Sequence, residues 1–129
     1  LNVSLVDHDG RSMFAPGSVK PHDRLRLILE AIGPTLRRVS QRISITGHTA
    51  APREGQKPEG PAFDLSAGRA IASRQILAGA GVPDDRFAVV SGKGDTDPMF
   101  PDNPYIAANR RITVTLLREA PPIPVGARP

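Results

Sequence analysis

Two hydrophobic periods alternate along this chain, and their alternation limits the folds it can adopt. Between positions 25 and 39, six apolar residues recur at intervals of three and four, which places them along one side of a helix. These residues are Leu25, Ile28, Leu29, Ile32, Leu36 and Val39. On either side of this segment apolar and polar residues alternate singly, which is the pattern of a strand with one buried face. The chain is therefore predicted to pack helices against a sheet.

The first helix is predicted over residues 21–38. Pro21 suits its first turn, where a missing amide hydrogen costs nothing. Pro34 interrupts the apolar pattern, because it offers no amide hydrogen to the carbonyl of Glu30 and its ring crowds that carbonyl. A kink or an early end of the helix is expected at this point.

Four strands are predicted from the alternating segments, at residues 2–7, 42–46, 86–91 and 111–117. Gly47 is expected to end the second strand in a turn, since glycine allows backbone conformations that are closed to other residues. In the third strand, Phe87 and Val89 are expected to share a face. In the fourth, the even-numbered residues from Ile112 to Leu116 form the apolar face.

A second helix is predicted over residues 66–80. Ser66 can cap the free amides of its first turn, and Arg69 follows about one turn later. Gly81 suits the left-handed conformation that ends many helices. Strands that alternate with two helices indicate an α/β sandwich, in which the helices pack on one mixed sheet.

The remaining segments are predicted to be irregular. Residues 50–61 and 92–104 are rich in Pro, Gly and charge, which is typical of loops. Residues 13–17 hold two large apolar side chains and a Pro-Gly pair, and we expect them to fold back onto the core. The chain begins at Leu1, and we expect it to be part of a longer protein.

Composition narrows the classes of function. At 129 residues the chain fits one domain, and no apolar run approaches the roughly 20 residues that a membrane helix needs. The net charge of +4 comes from scattered Lys and Arg, with four Phe and one Tyr, which disfavours a nucleic-acid surface. Without cysteine, and with its histidines far apart, the chain shows no pattern of a metal or cofactor site.

No catalytic set of residues is recognisable. Gly92-Lys93-Gly94 has only part of a phosphate-binding loop and is interpreted as a structural turn. Asp95, Asp97 and Asp102 lie in a loop where we expect them to be solvated, and no Ser, His and Asp set is suggested. A binding module is therefore favoured over an enzyme.

Three short motifs carry a resemblance to a known family. Gly47-His48-Thr49 follows a strand, Leu65-Ser66-x-x-Arg69-Ala70 opens a helix, and Asn109-Arg110-Arg111 precedes the last strand. In this order and spacing they resemble the OmpA-like peptidoglycan-binding domain. The resemblance covers nearly the whole chain, and one departure stands out: the Asp that the family places after Thr49 is Ala50 here.

The resemblance implies a fold and its limits. The fold is a two-layer α/β sandwich, with a mixed four-stranded sheet and two main helices on one face. Residues 1–118 would form this domain. Residues 119–129 hold four prolines and are predicted to form a flexible tail.

The resemblance also implies a ligand, the diaminopimelate residue of a peptidoglycan stem peptide. The planar fork of Arg69 matches a carboxylate, although spacing alone indicates a solvated helix arginine. Arg110 and Arg111 should face opposite sides of their strand, one toward the ligand and the other as a surface charge. The implied site comprises Thr49, Ala50, Leu65, Ser66, Arg69, Asn109, Arg110 and Arg111.

Within the family, the chain is most similar to flagellar stator proteins of the MotB type, through residues 11–18, 42–49 and 70–74. Such a domain would anchor the stator to the cell wall without a covalent bond, as the periplasmic part of an inner-membrane protein. The implied partners are peptidoglycan, a second copy of the chain, and the stator protein MotA through a membrane segment outside this sequence.

Two alternatives to the anchor stay open. One is an interaction or dimerisation module whose wall binding is weakened by Ala50, with Glu54 and Asp64 as candidate substitutes for the lost carboxylate. The other is a cell-wall hydrolase such as an amidase or glycosidase. A hydrolase would release soluble fragments from the wall, whereas an anchor would only bind it.

Overall fold

Strands and helices follow each other in the order that the two periods predict. The computed structural model describes residues 2–7 and 12–117, and the predicted tail at 119–129 lies outside them. The elements of the described residues are β1 (Asn2–Val6), α1 (Asp23–Arg38), β2 (Ile43–His48), α2 (Ala62–Gly79), β3 (Phe87–Gly92) and β4 (Arg111–Leu116). Short 3-10 helices lie at Asp84–Arg86 and Ala107–Asn109.

The strands form one mixed sheet in the order β1-β4-β2-β3. β4 pairs antiparallel with β1 and with β2, whereas β2 and β3 run parallel because α2 connects them. The prediction of a mixed four-stranded sheet with two helices is confirmed.

One face of the sheet is apolar and covered, and the other is polar. Ile43 and Ile45 of β2 and Ile112 and Val114 of β4 are buried in a core that they share with Leu25, Leu29, Ala70 and Leu77 of the helices. Full burial of each such large side chain contributes about 1.5–3 kcal/mol. The opposite face carries hydroxyl pairs between strands, Ser4 with Thr113 at 3.2 Å and Thr46 with Ser91 at 3.4 Å.

The helix α1 begins at Asp23, two residues later than predicted, and continues through Pro34 to the predicted end at Arg38, so the early end that Pro34 allowed does not occur. Pro34 is exposed, and the buried residue Leu36 holds the last turn on the core after it. Gly33 is buried where α1 meets the end of α2, since a Cβ at Gly33 would lie 2.5 Å from that of Ala80. Packing beyond the proline therefore outweighs the hydrogen bond that Pro34 removes.

The strand β2 extends two residues further than predicted, and Gly47 lies inside it. Its φ is not positive, so the expected turn conformation is wrong. The glycine is required for a different reason, because a Cβ there would lie 2.1 Å from the carbonyl oxygen of Ser66. Backbone of α2 thus touches backbone of β2 at this point.

The helix α2 begins at Ala62, four residues before the predicted cap, so Ser66 is not its cap. Pro61 occupies the N-cap position instead, and Ser66 lies inside the helix. The predicted end is confirmed: Gly81 has φ +107° and the amide of Val82 donates to the carbonyl of Leu77 at 3.1 Å.

Two further expectations concern packing against the core. Residues Met13 and Phe14 are buried in the core, as predicted for the irregular segment. The expected pairing of Phe87 with Val89 is wrong, since Phe87 and Val90 pack on the core while Val89 is 51% exposed. An irregularity in the register between Ile43 and Ser44 shifts the alternation of β3 by one residue.

Candidate functional site

A cavity of about 420 Å³ opens beyond the end of β2. Its walls come from Thr49 and Ala50, the loop at 51–61, the start of α2, and single residues of the loops before β4. Four charged side chains line it: Lys57, Glu59, Asp95 and Arg110. A concave site of this size with four charged side chains can hold a charged group.

Two backbone hydrogen bonds fix Ala50 between two loops. The amide of Thr49 donates to the carbonyl of Gly94 at 2.8 Å, and the amide of Ala51 donates to that of Pro104 at 2.9 Å. Ala50 itself lines the cavity. So do Asp95, the residue after Gly94, and Tyr105, the residue after Pro104. The predicted position of Ala50 in a pocket agrees with this geometry.

The turn at Gly92-Lys93-Gly94 packs directly on α2. A Cβ at Gly92 would lie 2.2 Å from the amide nitrogen of Ala67, and the amide of Gly94 donates to the Ser66 hydroxyl at 2.9 Å. Its interpretation as a structural turn is confirmed. Ser66 is fully buried, also donates to the carbonyl of Phe63, and does not line the cavity.

Thr49 and Leu65 line the cavity as the sequence predicts. Both are buried, and Leu65 forms part of the apolar wall. The hydroxyl of Thr49 finds no hydrogen-bond partner in the described part of the chain. A buried polar group without a partner costs stability, and this oxygen is enclosed by the protein although Thr49 lines the cavity.

Arg69 lies in the interior of the fold and not in the cavity. It is 5% exposed and two turns into α2, where its Nε donates to the carbonyl of Ser18 at 2.9 Å. Its Nη2 lies 2.5 Å from Oε1 of Glu59 and 3.4 Å from the carbonyl oxygen of Ala15. The expectation of a solvated arginine one turn into the helix is therefore wrong, and Glu59 stands between Arg69 and the cavity.

Arg110, which precedes β4, and Arg111, its first residue, contact different parts of the chain. Arg110 lines the cavity, and its Nε donates to Oδ2 of Asp7 at 2.8 Å. Arg111 is buried instead of being the surface charge that was expected, because Asp97 of the preceding loop covers it and accepts from Nη2 through its carbonyl at 2.8 Å. Of this pair, Arg110 is the residue within reach of a ligand.

Asn109 is fully buried and acts on the loop before it. Its Oδ1 accepts from the amide of Phe100 at 3.0 Å, and its Nδ2 donates to the carbonyl of Asn103 at 2.7 Å. These bonds use the side-chain amide on the protein itself, so Asn109 positions the loop and does not line the cavity. Its predicted place among the ligand contacts is not what the geometry shows.

His48 is buried at the end of β2, outside the cavity. Burial, and secondly the positive charge of Arg111, lower the pKa of His48 from 6.5 to about 4. Burial also lowers the pKa of Arg111, and the charge of Asp97 opposes this. Across residues 2–7 and 12–117, no three His, Asp or Glu side chains are grouped so that they could hold a metal ion.

The pKa of His48 predicts a loss of stability in mild acid. Its folded value of about 4 lies below the ordinary 6.5, so the unfolded chain takes up the proton first as the pH falls. The free energy of unfolding should be unaffected above about pH 6.5 and fall by roughly 1–3 kcal/mol toward pH 4. Urea unfolding of the wild type and of His48→Gln across this range isolates the effect as the difference between the two. Parallel pH profiles would rule it out.

Sequence reasoning missed Glu59, Asp95 and Tyr105 as cavity residues. Glu54 and Asp64, which were candidates for the lost carboxylate, do not line the cavity. One feature of the sequence could have indicated Asp95: it follows the Gly92-Lys93-Gly94 turn, whose packing on α2 fixes the position of the next residue. Nothing in the local sequence distinguishes Glu59 from Glu54.

The fold and the arrangement of its motifs define the class of protein. The OmpA family matches residues 13–111, and the chain belongs to this family. Motility protein B of Escherichia coli strain K12 is 34% identical over 124 residues, which cover 92% of this chain and 39% of that protein. The chain spans between 39% and 56% of the length of the curated relatives it matches.

Two solved structures share the fold. A crystal structure of the periplasmic domain of MotB has a TM-score of 0.74 at 19% identity, covering 92% of this chain and 64% of that one. The cell wall anchor of the type VI secretion system of Pseudomonas aeruginosa has a TM-score of 0.70 at 25% identity, covering 92% and 81%. No helix of the described residues is long and apolar enough to cross a membrane.

Proposed function

We propose that the cavity beyond β2 binds the diaminopimelate residue of a peptidoglycan stem peptide, and that this domain anchors a flagellar stator to the cell wall. The observation that carries the proposal is a cavity lined by Arg110 and by the carboxylate that is paired with Arg69. The family, and the similarity to a Motility protein B and to a cell wall anchor, support it.

The ligand carboxylate takes the place of Glu59 on Arg69. Two backbone carbonyls and the ring of Phe14, 5.2 Å from the guanidinium carbon, hold Arg69 in one orientation. Because the guanidinium group of Arg69 is already ordered, little conformational entropy is lost when a carboxylate binds to it. Arg110 lies along the cavity wall and contributes a second positive charge, since its bond to Asp7 uses only Nε.

Removing the competing carboxylate should strengthen binding. Glu59→Gln keeps the size of the side chain but loses its charge, so a ligand carboxylate meets less competition at Arg69. We expect the affinity for a diaminopimelate stem peptide to rise about fivefold, as for the loss of a partly exposed ion pair. Glu54→Gln, in the same loop but outside the cavity, is the matched control in titration calorimetry. Weaker binding by Glu59→Gln would show that Glu59 contacts the ligand itself.

The domain works as the periplasmic part of an inner-membrane protein whose membrane segment contacts MotA. Two copies of the domain in one stator would hold the wall at two points, which raises the effective affinity without new contacts. A two-fold homodimer is the simplest such arrangement. Sedimentation equilibrium at high concentration tests it, and a mass of one chain throughout would exclude dimerisation by this segment alone.

Co-sedimentation with insoluble peptidoglycan separates this function from its alternatives. We expect the domain to sediment with the wall and to release no soluble fragments. Release of fragments would identify a hydrolase. A domain that stays in the supernatant, while remaining folded by circular dichroism, would favour an interaction or dimerisation module without wall binding.

A further inference from the structure

The cavity contains a carboxylate that no other side chain among the described residues contacts as a partner. Asp95 lines it, and in the described part of the chain the Asp95 carboxylate has neither an ion pair nor a hydrogen bond. The other three charged side chains of the cavity cannot take this role. Glu59 is paired with Arg69, Arg110 is paired with Asp7, and Lys57 carries a positive charge. Asp95 is therefore the negative charge in the cavity that is free to meet a cation.

The backbone around Asp95 is fixed, although its side chain is exposed. Gly94 has φ +58°. Its amide donates to the hydroxyl of Ser66 at 2.9 Å, and its carbonyl accepts from the amide of Thr49 at 2.8 Å. The carbonyl of Lys93 accepts from the amide of Thr96 at 3.2 Å and from its hydroxyl at 2.7 Å, which closes the turn. Asp95 is thus presented at the tip of a turn that is held by both β2 and α2.

The same bonds bring Asp95 beside Ala50. The bond between Thr49 and Gly94 joins their two segments, and Ala50 and Asp95 are the next residue on each side of it. Both line the cavity. Ala50 has no group that can pair with a charge, so a cation in this part of the cavity would meet the carboxylate of Asp95.

We propose that Asp95 binds the ammonium group of an amino-acid head group whose carboxylate is bound at Arg69 and Arg110. This inference rests on the proposed function and adds the residue that selects for an amine. The cavity then recognises a carboxylate and an ammonium together, which distinguishes diaminopimelate from a plain dicarboxylate. The carboxylate supplied from position 95 makes Ala50 compatible with binding.

The test compares two soluble stem tripeptides by titration calorimetry. One ends in diaminopimelate, and the other ends in aminopimelate, which keeps the terminal carboxylate but lacks the ammonium. Asp95→Asn is the test variant. Asp102→Asn is the matched control, because it makes the same change in the same loop outside the cavity.

We expect Asp95→Asn to weaken binding of the diaminopimelate tripeptide about tenfold, the loss of one charged hydrogen bond, and to leave the aminopimelate tripeptide unaffected. Adding Ala50→Asp to Asp95→Asn should restore most of the affinity. The inference is overturned if Asp95→Asn behaves like Asp102→Asn, or if it weakens both tripeptides equally. If the wild type binds neither tripeptide, the proposed function fails and this inference fails with it.

Discussion

Arg69→Ala should lower the free energy of unfolding by about 2–4 kcal/mol. The substitution removes the partner of Glu59 and leaves the carbonyls of Ser18 and Ala15 without their donor. It also leaves a hole beside Phe14, over whose ring the guanidinium lies. Urea unfolding followed by circular dichroism measures the loss.

Arg74→Ala is the matched control on the same helix. Its ion pair with Asp84 is solvent-exposed, and such pairs contribute at most about 1 kcal/mol. If the two variants lose the same small amount, Arg69 is not structural. A large loss for Arg69→Ala also means that reduced wall binding by this variant could not be attributed to the ligand contact, and Glu59→Gln is the cleaner test of the same site.

Gly47→Ala should lower the free energy of unfolding by about 3 kcal/mol or more. The new Cβ would lie 2.1 Å from the carbonyl oxygen of Ser66. The strand backbone fixes the position of the Cβ, and the oxygen belongs to the helix backbone, so neither atom can rotate away. The strand and the helix must separate, which also strains the bond from Gly94 to Ser66 that shapes the cavity. A thermal melt should show a midpoint lowered by more than about 10 °C.

Gly79→Ala provides the opposite expectation for the same chemical change. Gly79 lies in the last turn of α2, and no atom of residues 2–7 and 12–117 lies within 4 Å of a Cβ placed there, apart from its chain neighbours and the helix's own backbone. Alanine has the higher helix propensity, so this variant should be unchanged or up to about 1 kcal/mol more stable. If Gly47→Ala were as stable as Gly79→Ala, the close packing of β2 on α2 would be contradicted.

The hydrophobic periods were sufficient to predict the layers of the fold. The stripe from Leu25 to Leu36 and the alternation in β2 and β4 depend only on neighbouring residues, and these elements begin and end within two residues of the predicted bounds. The errors came from contacts between distant segments. Glycine is required at position 47 because the backbone of Ser66 packs against it. The alternation of β3 is shifted by an irregularity in its pairing with β2.

The candidate site was predicted only in part, because it also depends on contacts between distant segments. The motifs located the cavity through Thr49, Leu65 and Arg110, which all line it. They could not show that Arg69 is buried, because two of its hydrogen-bond acceptors lie 51 and 54 residues away in the sequence. Neither could they single out Asp95, whose place depends on how Gly94 docks on Ser66.

Titration of the isotope-labelled domain with the diaminopimelate tripeptide, followed by nuclear magnetic resonance, tests the central claim most directly. We expect the largest shifts at the amides of Thr49, Ala51, Asp95 and Tyr105, which surround the cavity. The aminopimelate tripeptide should move the Asp95 resonance much less. Shifts confined to the hydroxyl-rich face of the sheet, or no shifts at saturating tripeptide, would contradict the assignment of this cavity as the peptidoglycan site.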